Sequence, residues 1–199
     1  FLKKMKIAIA QVNSIVGDFH GNAAKILKTA KAAAKKDASL LITPELSLFG
    51  YPPKDMLLYG SFIKKAWTVL KKLAKDTSDL PPILVGVAIK NKDKGKPLKN
   101  AAVLLSEGKI KNIFYKSLLP TYDVFDEDRY FEPETNAQIL SLLGEKIGIS
   151  ICEDLWNDED FWHTQRYHSD PIKKLAQKKV DFIINLSSSP FTIDKQKLR

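Results

Sequence analysis

Three residues of this chain follow apolar, strand-like runs and carry groups that could act together on a carbonyl: a carboxylate, Glu45, an ammonium, Lys116, and a thiol, Cys152. Cys152 is the only cysteine. It can neither close an intramolecular disulfide nor build a multi-thiolate metal site. It is therefore either a buried inert thiol or a nucleophile. Glu45 follows Leu40-Leu41-Ile42-Thr43-Pro44, Lys116 follows Ile110-Lys111-Asn112-Ile113-Phe114-Tyr115, and Cys152 follows Ile147-Gly148-Ile149-Ser150-Ile151. Singly, each has a plain explanation as a loop carboxylate, a solvated lysine or a core thiol. In an α/β sheet, however, the C-terminal ends of neighbouring strands line the usual ligand crevice. On placement alone the catalytic and structural readings stand level.

The elements that must position these residues are legible from periodicity. Residues 6–12 read as a buried strand, and Asn22 as the cap of a helix whose Ala23, Ile26, Leu27, Ala30, Ala33 and Ala34 share one face. Residues 39–43 form a second strand, 62–75 a second amphipathic helix and 83–89 a third strand after Pro81-Pro82. Residues 101–105 and 110–115 flank Glu107-Gly108-Lys109, a hairpin signal. Residues 147–152 are the next strand. Ser169-Asp170-Pro171 opens a helix that carries Ile172, Leu175 and Ala176 inward, and 180–186 is a last strand. Such an order argues for α/β layers around mixed sheets. The chain stops shortly after that strand and its loop, which points to a domain truncated at its C-terminal end.

Composition narrows the class. With 199 residues, 44% of them hydrophobic and 28% charged, the chain can bury one substantial core. No apolar run reaches the roughly 18 residues of a membrane span, and the start has no secretory h-region, so a cytoplasmic location is the default. The net charge of +9 raises the question of a nucleic-acid partner. The lysines are spread at helical spacing (Lys25, Lys28, Lys31, Lys35, then Lys64, Lys65, Lys71, Lys72, Lys75), as on solvated helix faces, and no interleaved aromatic signature accompanies them. His163 and His168, five apart in a polar stretch, read as solvated and not as metal ligands.

The local wording then separates the two readings of Cys152. Thr43-Pro44-Glu45-Leu46-Ser47-Leu48-Phe49-Gly50-Tyr51-Pro52-Pro53 resembles the glutamate motif of the nitrilase (carbon–nitrogen hydrolase) superfamily, Tyr115-Lys116-Ser117-Leu118-Leu119-Pro120 its lysine motif, and Ile151-Cys152-Glu153-Asp154-Leu155-Trp156 its cysteine motif. The resemblance runs in the family's order along essentially the whole chain. Gly50-Tyr51-Pro52-Pro53, Thr121-Tyr122, Val124-Phe125-Asp126-Glu127-Asp128-Arg129-Tyr130-Phe131 and Glu153-Asp154-Leu155-Trp156 resemble one branch of it, the glutaminase domains of glutamine-dependent NAD+ synthetases.

That resemblance implies a four-layer αββα sandwich and a Glu45–Lys116–Cys152 triad in a single domain, residues 1–199, that is itself incomplete. Glu45 would take the thiol proton, and Lys116 with the backbone N–H of Glu153 would stabilise the oxyanion. By the same resemblance Tyr51, Tyr122, Glu153, Ser189 and Lys195 line the substrate pocket and Glu127 supports Lys116 and Glu45. L-glutamine is the expected substrate and ammonia the product delivered. No metal or cofactor is expected for the hydrolysis. ATP and Mg2+ would belong to a synthetase domain that is absent here, since only nine glycines and no glycine-rich phosphate loop are present. A homo-oligomer is expected, and neither nucleic acid nor membrane as partner. A stand-alone amidase or carbamoylase of the same superfamily is the alternative, and a basic non-enzymatic binding module a remote one.

Overall fold

A computed structural model describes residues 4–158, 164–190 and 193. Among the described residues, eight strands and three α-helices build two sheets with helices on their outer faces. The first sheet takes β1 (Ile7–Ile9), β2 (Leu40–Ile42), β3 (Ile83–Lys90), β4 (Leu98–Ser106) and β5 (Lys109–Tyr115), paired in that order. The first two pairings are parallel and the last two antiparallel, so β2 and β5 point the same way. The second sheet holds β6 (Ile139–Leu142), β7 (Glu145–Ile151) and β8 (Phe182–Leu186), with β7 parallel to β8.

Strand alternation explains the layering. Leu41, Ile83, Val85, Val103 and Leu105 pack against α1 (Phe19–Ala34) and α2 (Gly60–Asp76), which supply Ile26, Ala30, Ile63, Ala66, Leu70 and Leu73. Their neighbours Leu40, Ile42, Leu84, Ala102, Leu104 and Phe114 face the other way. They meet Ile147, Ile149, Ile151, Ile184 and Leu186 of the second sheet. Gly148, on the outer face of β7, lies against Leu175 of α3 (Pro171–Gln177). The order is helix, sheet, sheet, helix, as expected from the resemblance, and the two sheets are mixed.

Three local expectations change. Asn22 does not cap α1. Asp18 does, accepting from Gly21 N–H at 2.9 Å. Asn22 sits within the helix, buried, bonding the backbone of Ile15 and the Leu48 carbonyl. Residue type alone places the cap one turn late, because Phe19 and His20 carry no helix-start signal of their own. The strand expected to include Cys152 ends at Ile151, and Cys152 opens a short 3-10 turn, Cys152–Leu155. β6 lies outside the expected strands, since four residues with one exposed serine carry too little periodicity.

Gly86 in β3 fixes how closely the Glu45 segment approaches the first sheet. A Cβ atom there would come within 2.3 Å of the Pro44 carbonyl oxygen and 2.5 Å of Leu46 N. The segment bearing Glu45 thus crosses directly over a strand that has no side chain at that point. Gly86→Ala is expected to destabilise the fold by about 1–3 kcal/mol through overpacking against backbone, read as a lowered denaturation midpoint with the slope unchanged.

Candidate active site

The site lies where the two sheets abut, past the ends of four strands. Glu45 comes two residues beyond Thr43, whose hydroxyl bonds Ser47 Oγ at 2.7 Å and the Leu84 carbonyl at 3.0 Å. Gly86 N–H donates to Thr43 Oγ1 at 3.2 Å, and Leu46 adopts φ +48°. The turn is thereby stitched onto β3. Lys116 follows β5 and Cys152 follows β7, while Ser187, Ser188 and Ser189 follow β8.

Lys116 is fully buried and forms the electrostatic centre. Its ammonium donates to Glu45 Oε1 at 2.7 Å and to Glu127 Oε1 and Oε2 at 2.8 and 2.7 Å. Those three bonds use every proton it has. Asn100 Nδ2 donates as well, to Glu45 Oε1 at 2.8 Å and Glu127 Oε2 at 3.4 Å, and Tyr51 O–H donates to Glu127 Oε1 at 2.9 Å. Each oxygen of Glu127 therefore accepts two bonds, as does Glu45 Oε1. Glu45 Oε2 receives the Ser188 N–H at 3.3 Å and is, among the described residues, the less occupied oxygen. Glu127 is saturated as an anchor, and Glu45 retains one oxygen able to take a proton.

Burial pushes the Glu45 carboxyl up to about 7, against the attraction of Lys116 and with the added repulsion of Glu127. For Lys116, burial disfavours the charge, but Glu45 and Glu127 outweigh it and hold its pKa well above the ordinary value. The Cys152 thiol is driven far above its ordinary range by burial, with Glu45 adding to the rise and Lys116 opposing it. A neutral thiol thus rests beside a carboxylate poised near neutrality.

Ser188 links the two. Its N–H and Oγ bond Glu45 Oε2 and the Glu45 carbonyl, the latter at 2.8 Å, while its own carbonyl oxygen lies 3.9 Å from Cys152 Sγ. Cys152 adopts φ +47°, a left-handed conformation uncommon for a residue with a Cβ and found at functional turns. Asn185 donates to the Cys152 carbonyl at 3.4 Å. Asp154, fully buried, accepts from Ser117 N at 3.0 Å, Leu118 N at 2.8 Å and Ile151 N at 2.8 Å. One carboxylate so ties the lysine loop to the strand end that carries the thiol. Burial raises its carboxyl to about 6, with those backbone bonds and Lys116 pulling the other way.

The remaining expected residues divide into two groups. Tyr51 commits its hydroxyl to Glu127, and its ring lines an open cleft of about 530 Å³ together with Glu45, Ser188, Ser189, Asn13 and Val124. Tyr122 donates to Glu153 at 2.9 and 3.0 Å, Tyr167 donates to the same carboxylate at 2.9 Å, and Arg166 stacks on the Tyr122 ring at 4.2 Å. Lys195 and His163 lie outside the described residues, and His168 is exposed. Sequence reasoning missed Asn100, Asp154, Tyr167 and Ser188. Only Asn100 carried a signal, as a polar residue within the apolar stretch of β4. Among the described residues no cluster of three or more metal-ligating side chains occurs, and no helix is long and apolar enough to cross a membrane.

The family described as carbon-nitrogen hydrolase matches residues 6–192. The glutamine-dependent NAD(+) synthetase of Synechocystis sp. is 45% identical over 197 residues, covering 97% of this chain and 35% of that protein. The Thermotoga maritima protein of the same description is 35% identical over 200 residues, covering 100% and 32%. Among solved structures, the glutamine-dependent NAD+ synthetase from Acinetobacter baumannii, in complex with ADP, superposes with a TM-score of 0.83 at 33% identity over 98% of this chain and 34% of its own. An amidase from Nesterenkonia sp. shares the fold, with a TM-score of 0.76 at 20% identity over 96% of this chain and 68% of its own. The chain spans about a third of the length of the curated relatives it matches.

The Asp154 tether generates a test. Asp154→Asn sets an N–H2 group against backbone donors and is expected to cost about 1–3 kcal/mol, measured by denaturation. In the folded variant the rate of Cys152 alkylation is expected to change as well, whereas a rate equal to the parent's would show that the tether serves stability alone.

Proposed function

The chain belongs to the carbon–nitrogen hydrolase family, and on that premise we propose that it hydrolyses the side-chain amide of glutamine through a Cys152 thioester and supplies the ammonia to an ATP-dependent synthetase domain. The observation that carries the reading is the buried Lys116 ammonium clamped between Glu45 and Glu127, with Cys152 joined to Glu45 through Ser188. The length and description of the relatives support the glutamine and NAD+ assignments, and on this reading the synthetase step, with its ATP and Mg2+, falls to a part that this chain does not match.

The steps follow from the residues. Glu45 Oε2 takes the Sγ proton as sulfur attacks the carboxamide carbon, and the carbonyl π electrons move onto oxygen. Lys116 and the Glu153 N–H stabilise that oxyanion. Collapse breaks the C–N bond, and Glu45 returns the proton so that ammonia leaves. A water then loses a proton to Glu45 and attacks the thioester, releasing glutamate while the thiolate recovers a proton. Hydrolysis of this kind uses no cofactor. A base with its carboxyl near 7 suits proton exchange at neutral pH. Glu153, braced by Tyr122 and Tyr167, offers a carboxylate for the substrate's ammonium end. Ser189 and Lys195 are the candidates for the substrate's α-carboxylate and amine end.

Treating the full-length protein with a diazo-norleucine electrophile is expected to place one adduct on Cys152, absent in Cys152→Ala and slowed at least about 100-fold in Lys116→Ala. An unmodified Cys152 in folded, full-length protein would overturn the assignment. The pH dependence gives a second check. Because Glu45 must be ionised to accept the proton, kcat/KM for glutamine is expected to rise with pH through about 7 and level off above it. Glu45→Gln should abolish that limb with the activity.

A further inference from the structure

Asn100 lies in β4, buried, and joins both acidic groups of the site. Its Nδ2 donates to Glu45 Oε1 and Glu127 Oε2, and its backbone carbonyl accepts from Lys116 N at 2.9 Å. One residue therefore touches the backbone of the lysine and the side chains of both carboxylates. Its Oδ1 is buried and, among the described residues, without a hydrogen-bond partner. A buried carbonyl oxygen left unpaired is costly, and a leucine of similar shape would avoid the cost. Turning the amide over would pair nothing better, because it would press Oδ1 against two carboxylates. The orientation is set by the charges it serves.

We propose that Asn100 is a positioning residue for the amide hydrolysis: its two N–H bonds occupy one oxygen of each carboxylate and so leave Oε2 of Glu45 as the oxygen that exchanges protons with Cys152. The inference rests on the reading of Glu45 as base. Without Asn100, Oε1 would keep Lys116 alone, either oxygen could take the proton, and the carboxylate form would lose a donor. The titratable groups that face Glu45 are Lys116, Glu127, Cys152 and Tyr51, all retained when Asn100 alone is replaced.

The test uses the full-length protein with Asn100→Leu, which removes the donors and the unpaired oxygen together, and Asn100→Ser in parallel should the leucine variant fail to fold. Losing a donor to a carboxylate raises its pKa. The acidic limb of kcat/KM for glutamine is therefore expected to move up by about one pH unit, with a lower plateau and a thermal midpoint close to the parent's for Asn100→Leu. A folded variant whose limb stays where the parent's lies would overturn the role of Asn100 while leaving Glu45 as the base. A parent enzyme with no acidic limb near neutrality would overturn both.

Discussion

Everything in this site depends on keeping one ammonium, that of Lys116, out of water. A lone buried cation is expensive, and proteins retain one only when it is paired and fully hydrogen-bonded. Here the pairing is double, with Glu45 and Glu127 on either side. Two carboxylates around one ammonium leave an excess negative charge. Burial is the main reason that Glu45 and Cys152 shift toward their neutral forms, and that excess adds repulsion in the same direction. The positive charge is then held in place by its two carboxylates, without turning the resting thiol into a thiolate.

Hydrogen-bond accounting assigns the two glutamates different tasks although they touch the same lysine. Glu127 spends both oxygens on Lys116, Tyr51 and Asn100. Glu45 spends one and presents the other toward Ser188 and the cleft. The distinction lives in the donors, which arrive from β4, from the turn holding Tyr51 and from the loop after β8.

Much of the architecture was legible because periodic apolar runs are long in this chain. The helices around Ile26 and Leu70, the hairpin at Gly108 and the strand before Cys152 follow directly from spacing. Glu45, Lys116 and Cys152 were legible because each stands at a strand end within a distinctive word. What escaped were residues whose role is to bond backbone. Asp154 reads as one more acidic residue in a polar run, yet it ties the lysine loop to the end of β7. Ser188 is one of three consecutive serines, and nothing in the letters says which of them bridges to a residue so far away. Asn22 escaped in the opposite sense: its type suggested a helix cap, whereas tertiary contacts recruited it to pin the loop at Ile15 and Leu48.

The bond between Ser188 and Glu45 spans 143 positions of sequence, and the first sheet can be paired before the second exists. A ribosome making this chain therefore releases Glu45 and Lys116 long before the β8 loop that joins them to the thiol. Contacts of such separation form late, after loop closure has been offset by many local gains. A nascent or half-folded chain would hold a thiol and a carboxylate but no geometry connecting them. The geometry that joins the thiol to the carboxylate thus exists only once both sheets have closed on each other.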